Sequence, residues 1–182
     1  VSCPIDTYSG YGSRARDVVR ALMRSDKYDV KILSQRWGNT PYGFLNENNP
    51  EEKKMKDAII PPQLQRQPDV WIQISVPDEF QKLGKFNIGI TAGIETDLCD
   101  VRFIQGANKM DLLLGSSNHS LYALKNSQYE QKDKAGQVVG IIKLETPTDI
   151  LFEGVDLEKY FPIEAKDLPK TELVQSLDTI EE

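Results

Sequence analysis

Between an apolar opening stretch and an amphipathic helix the chain carries Gly10, Tyr11, Gly12, Ser13 and Arg14, within "DTYSGYGSRARDVVRALM" (6–23). Gly10-x-Gly12-x-x-Ala15 has the G-x-G-x-x-A spacing, in which glycines let backbone N–H groups approach a diphosphate at a helix N-terminus. An arginine beside such a turn adds charge-assisted hydrogen bonds to the anion. Helix N-termini carry partial positive charge and normally attract acids, so Arg14 and Arg16 in or near the first turn point to something negative there. The competing structural reading is that the glycines only shape a tight strand-to-helix turn and the arginines are solvated.

Three further loops carry polar groups. "GIETD" (93–97) offers Glu95 and Asp97; a carboxylate there acts as a base, orients a sugar hydroxyl or binds a metal, and desolvation raises its pKa. The plainer alternative is that Glu95, Thr96 and Asp97 cap the helix ahead. Glu79 in "SVPDEF" (75–80) and Asn118 and His119 in "SSNHS" (116–120) complete the candidates. His119 is the only histidine and Cys3 and Cys99 are the only cysteines, so a histidine-built zinc site is excluded and no metal is assigned. The sequence shows no P-loop, no Ser-His-Asp and no Cys-His arrangement. "SQR" (34–36) ends the second strand without an acid for a ribose diol, and Arg36 suits a 2′-phosphate, so a NADP-dependent enzyme is kept as a minor alternative.

These residues need elements to position them. Apolar, β-branched runs at 1–5, 29–33, 69–74, 86–92 and 111–116 alternate with helical patterns near 13–25, 51–60, 103–108 and 118–128. In the first helix Ala15, Val18, Val19, Leu22 and Met23 form one stripe, with Arg16, Arg20 and Arg24 facing away. The rhythm predicts an α/β, Rossmann-like fold: a mainly parallel sheet with helices on both faces, a three-layer sandwich. "RWGNTPYGFLNENNP" (36–50) reads as a long surface loop, 136–145 as a strand or hairpin and 149–153 as a last short strand. In an open parallel sheet ligands lie outside the carboxyl ends of the strands, which is where the four polar loops fall.

The 182 residues suffice for one sizeable core, and 22 basic against 28 acidic side chains give a net charge of −6. With no Lys/Arg run to offset it, nucleic acid and anionic membrane are poor partners. No apolar stretch approaches the ~18 residues of a membrane span, no signal peptide is evident, and two distant cysteines fit the reduced thiols of a cytoplasmic protein. A strand is already under way at Val1, so the sequence reads as lacking residues upstream.

"SGYGSRARDVVRAL", "VPDEF", "ITAGIETD", "ANKMDLLLGSSNHS" and "ILFEGVDLEKYFP", in that order, resemble the N-terminal domain of the GT-B-fold, group 1 glycosyltransferases. The likeness covers 1–162, leaving 163–182 as an acidic linker or docking tail toward a missing C-terminal Rossmann-like domain. It implies a transferase that moves a sugar from a nucleotide-sugar donor to an unidentified acceptor, retaining by analogy, without a separate cofactor. The donor diphosphate would lie at Gly10, Tyr11, Gly12, Ser13 and Arg14. Where the family often has a catalytic histidine this chain has Ala92-Gly93-Ile94-Glu95, making Glu95 the catalytic candidate. Glu79, Thr96, Asn118 and His119 become candidates for acceptor or sugar. The chain alone would be incompetent, since the facing domain is absent. The rival reading is a non-catalytic binding or structural module that keeps the fold.

Overall fold

The computed structural model describes residues 1–158 and 160–163, and the chain divides into two units after Phe152, upstream of the expected boundary at 162. The first unit, Val1–Phe152, holds every helix and strand of the described residues. In the second, Glu153–Glu182, the Tyr160 N–H donates to the Asp156 carbonyl at 2.8 Å. From 164 onward the expected acidic tail lies outside the described residues.

The elements follow as β1 (Ser2–Cys3), α1 (Gly10–Arg24), β2 (Leu33–Ser34), α2 (Pro50–Asp57), β3 (Val70–Ile74), β4 (Phe86–Thr91), α3 (Val101–Ala107), β5 (Leu112–Gly115), α4 (Asn118–Asn126), β6 (Tyr129–Lys132), β7 (Val138–Ile142) and β8 (Thr148–Ile150). Six strands form one sheet in the order β2-β1-β3-β4-β5-β8, every neighbouring pair parallel. β6 and β7 make a separate antiparallel hairpin, so the strand expected over 136–145 is the second arm of a ribbon.

The strand period of two sorts side chains between two cores. On one face Ile74 of β3 and Ile90 of β4 pack with Ala15 and Val19 of α1 and Met55 of α2. On the other, Leu113 of β5 packs with Ile104 and Ala107 of α3 and Leu121 and Leu124 of α4. Each of the isoleucine, leucine, valine and methionine side chains among them, taken fully out of water, contributes about 1.5–3 kcal/mol. This is the Rossmann-like, three-layer α/β architecture the alternation predicts. Cys3 and Cys99 are free and buried within these cores; burial pushes the Cys3 thiol up to about 12. Among the described residues no helix is long and apolar enough to cross a membrane.

Two local departures shape the edge of the sheet that carries the candidate loops. α1 starts at Gly10, earlier than expected, because Ser9 caps it: its Oγ accepts from the Gly12 N–H at 2.9 Å. Parallel strands usually need a helical crossover, yet between β3 and β4 the chain makes only a 3-10 turn at Pro77–Glu79 and an extended return. Buried amide side chains replace the missing helical hydrogen bonds. Gln73 Nε2 donates to the Glu79 carbonyl (2.9 Å) and its Oε1 accepts from the Gln81 N–H (2.9 Å). Asn87 Oδ1 accepts from the Gly84 N–H (2.8 Å) while its Nδ2 donates to Asp111 Oδ2 (2.8 Å).

The Asn87 side-chain amide, then the Lys82 ammonium and the Asn87 backbone N–H, hold the Asp111 carboxyl below its usual range. A carboxylate with a lowered folded pKa contributes stability above its unfolded value of about 4, and that contribution is lost as pH falls through the folded value. Asp111→Asn is therefore expected to lower the urea midpoint at pH 6 and to narrow the gap between midpoints at pH 6 and pH 3. An unchanged gap removes Asp111 from the acid response.

Candidate functional site

β1 lies between β2 and β3, so the chain leaves β1 toward one side of the sheet and returns on the other. That reversal is the topological switch point, the usual ligand crevice of an open parallel sheet. The loop after β1 turns sharply there. Thr7 N–H donates to the Pro4 carbonyl (3.2 Å), and Thr7 Oγ1 shares a hydrogen bond with the capping Ser9 Oγ (2.8 Å).

The five residues of the glycine motif take different roles. The Gly12 N–H is used by Ser9 Oγ and the Ser13 N–H by the Ser9 carbonyl (2.9 Å). The Gly10 and Tyr11 N–H groups, the first two of α1, donate to no group among the described residues. A Cβ on Gly10 would meet nothing within 4 Å, so the space beside Gly10 is open. A Cβ on Gly12 would stand 2.5 Å from the Thr7 carbonyl, so Gly12 is a packing glycine. The anion-ready part of the motif is thus the Gly10–Tyr11 pair at the positive end of the helix dipole.

The arginines depart further from expectation. Arg14 reaches across to the end of β8, donating to the carbonyls of Leu151 and, at 3.2 Å, Phe152. Arg16, expected to face away from the core, is buried: it donates to the Ile5 (3.0 Å) and Thr7 (2.9 Å) carbonyls, its guanidinium 3.5 Å from the Phe44 ring centroid. The physical reason is that the turn after β1 leaves two inward carbonyls without N–H partners, and a long charged donor from α1 satisfies both. Arg14→Ala is expected to cost about 1.5 kcal/mol, since hydrogen bonds from a charged donor are lost. A urea midpoint equal to wild type contradicts that anchoring role.

The 36–50 loop is clasped onto this corner. Gly43 and Phe44 N–H groups donate to the Asp6 carbonyl (2.8 and 3.1 Å), and the Leu45 N–H to Asp6 Oδ1 (2.7 Å). Trp37 stacks on Tyr11 with ring centroids 4.2 Å apart. Tyr11 then carries the corner to the next loop: its hydroxyl lies 3.1 Å from Thr91 Oγ1 and accepts from the Ala92 N–H at 3.1 Å.

Gly93, at φ +83°, turns that loop against α4 so closely that a Cβ would lie 2.0 Å from the Ser120 carbonyl. The Ile94 N–H donates to the same carbonyl (3.3 Å). Glu95 and Thr96 follow on the exposed side, with Thr96 Oγ1 donating to the Leu98 carbonyl (2.7 Å). Neither they nor Asp97 cap α3; Asp100 does, accepting from the Arg102 N–H at 2.8 Å. Asn118 and His119 are exposed on the first turn of α4, which Ser117 and Ser120 cap reciprocally.

Contacts therefore run from Gly10–Tyr11 through Ala92 to the Glu95 loop and on to the α4 turn bearing Asn118 and His119. Glu79 stands outside that run. Its carboxylate accepts from Ser75 Oγ, and it lines a separate hollow shared with Arg36. Arg36, the residue suited to a 2′-phosphate, lines that hollow together with Asp78, Glu79 and Lys109, so two acids offset the two bases there. Among the described residues no three His, Cys, Asp or Glu side chains group as metal ligands.

Sequence reasoning missed the tyrosine bridge and the Trp37 stack, because a tyrosine inside a glycine motif and a tryptophan inside a loop announce no partner. Comparison with protein-family models, with curated proteins and with solved structures gives no match to this chain.

Proposed function

We propose that this domain is the acceptor-side half of a nucleotide-sugar-dependent glycosyltransferase, completed by a facing Rossmann-like domain. One observation carries the reading: two N–H groups without a partner among the described residues start α1, at the carboxyl edge of a parallel sheet, and the Tyr11 hydroxyl beside them accepts from Ala92 of the loop that bears Glu95. The donor pyrophosphate would accept from Gly10 and Tyr11, where fixed dipoles stabilise the charge that develops on it as the sugar departs. Arg14 is held on the Leu151 and Phe152 carbonyls and takes no part in the corner itself. Glu95 orients the sugar or the acceptor hydroxyl, and Asn118, His119 and Thr96 supply hydrogen bonds along the same edge. Retention of anomeric configuration rests on the family resemblance.

The test is to express the chain with whatever coding sequence follows Glu182 and assay transfer and hydrolysis over a panel of nucleotide sugars. Turnover of at least one donor is expected. A product that turns over none overturns the reading in favour of a non-catalytic module.

A further inference from the structure

The β6–β7 ribbon has one side on the core and one side bare. Tyr129 and Ile142 stand opposite each other in the ladder and, with Leu144, pack against the core built on α3 and α4. The next pair, Glu130 and Ile141, therefore points outward. The ladder then steps from Gln131 opposite Gly140 to Lys132 opposite Val138, which leaves Val139 as a bulged residue. Three neighbouring aliphatic side chains of one strand end in solvent: Val138, Val139 and Ile141 are 54%, 60% and 52% exposed. A single apolar side chain on a surface needs no explanation, but a contiguous group marks an interaction site.

The charges beside that group select its partner. On β6, Glu130 lies level with Ile141 and Lys132 level with Val138; both are exposed and pair with each other at 3.2 Å. The outward side is thus an aliphatic column on β7 beside a column of one acid and one base on β6. A partner of a single charge sign meets one attraction and one repulsion there. A second copy, related by a two-fold axis running across the strands, meets neither conflict. Glu130 then lies over Lys132 of the second copy and Lys132 over its Glu130, while Ile141 lies over its Val138 and Val139 over its Val139. An axis along the strands would instead stack like charges, or aliphatics on charges, so the pattern fits one isologous arrangement. The aliphatic column supplies the affinity, because exposed ion pairs contribute little, and the charges fix the register. Two short strands cover far less than the ~1,200 Å² of a stable interface, so the association is weak.

We infer that the outward side of the β6–β7 ribbon is a contact between two copies of this chain, which form a weak isologous dimer whatever reaction the domain serves. The test is sedimentation equilibrium of the chain, with the ¹⁵N–H signals of residues 130–132 and 138–141 followed as its concentration rises to about 1 mM. Dimerisation is expected with a Kd of about 0.1–1 mM, and those signals should move in step with it. Val139→Glu sets two like charges against each other on the axis and should leave the chain monomeric throughout. Lys132→Glu and Glu130→Lys should each weaken self-association about tenfold, since every like-charge contact occurs twice. An equimolar mixture of those two variants should associate at least as tightly as wild type, an acidic column then meeting a basic one. All three positions are exposed, so thermal unfolding should match wild type. Four results overturn the inference: a chain that stays monomeric at about 1 mM, a dimer that leaves those signals unmoved, Val139→Glu dimerising as wild type does, or a mixture of the charge variants that associates no better than either alone.

Discussion

Gly93→Ala is expected to lower stability by about 3–5 kcal/mol, from overpacking against backbone together with a left-handed conformation forced on an L side chain. The cause is geometric: a Cβ there would stand 2.0 Å from the Ser120 carbonyl, and the backbone carries φ +83°. Neither wall yields easily, since Ser120 is fixed in the capped first turn of α4 and Thr91 Oγ1 accepts from the Gly93 N–H at 3.2 Å. For a chain of this size the loss corresponds to a fall of about 10 °C in Tm. Thermal unfolding followed by circular dichroism checks it. A Tm within two degrees or so of wild type would show that the loop relaxes freely, and with it the argument that Gly93 fixes the position of Glu95 would fail.

Glu95 gives the opposite pattern. Its side chain is exposed, so Glu95→Ala should change stability by no more than about 0.5 kcal/mol. On the transferase reading, with the facing domain present, turnover of a nucleotide-sugar donor should drop about 100-fold or more, the effect of removing a positioned acid or base. Glu95→Gln separates charge from shape: a carboxylate acting as a base is not replaced by the amide, whereas one that only accepts a hydroxyl hydrogen bond is partly replaced. Loss of activity in step with loss of stability would make Glu95 structural. Full activity in both variants removes it from the chemistry.

The contrast between these neighbours shows what a sequence carries and what it conceals. Apolar periodicity marked the strands at 69–74, 86–92 and 111–116 and the helices near 103–108 and 118–128 to within a few residues, because each buries one stripe or one face and that requirement is written locally. Gly93 was visible as part of the polar loop 93–97, but its pressure on Ser120 depends on α4, which begins only at Asn118. Arg16 failed for the same reason: helical spacing sets it off the apolar stripe, and only the tertiary turn at Ile5–Thr7 supplies the carbonyls that draw it inward. Gln73 and Asn87 read as strand interior, while their roles as substitutes for a crossover helix come from the path of 75–85. In the glycine motif the spacing was legible but the division of labour was not, since Gly12 and Gly10 differ only in what stands opposite a Cβ that neither possesses.

The account depends most on the Gly10 and Tyr11 N–H groups receiving pyrophosphate, and one titration tests it directly. UDP-glucose added to the ¹⁵N-labelled chain should shift these two amides first and furthest, with weak, saturable affinity. The shifts should vanish in Gly10→Val, a substitution the open space beside Gly10 admits without unfolding. Amides of Gly10 and Tyr11 that stay unmoved at saturating UDP-glucose, or that move equally in the valine variant, contradict it.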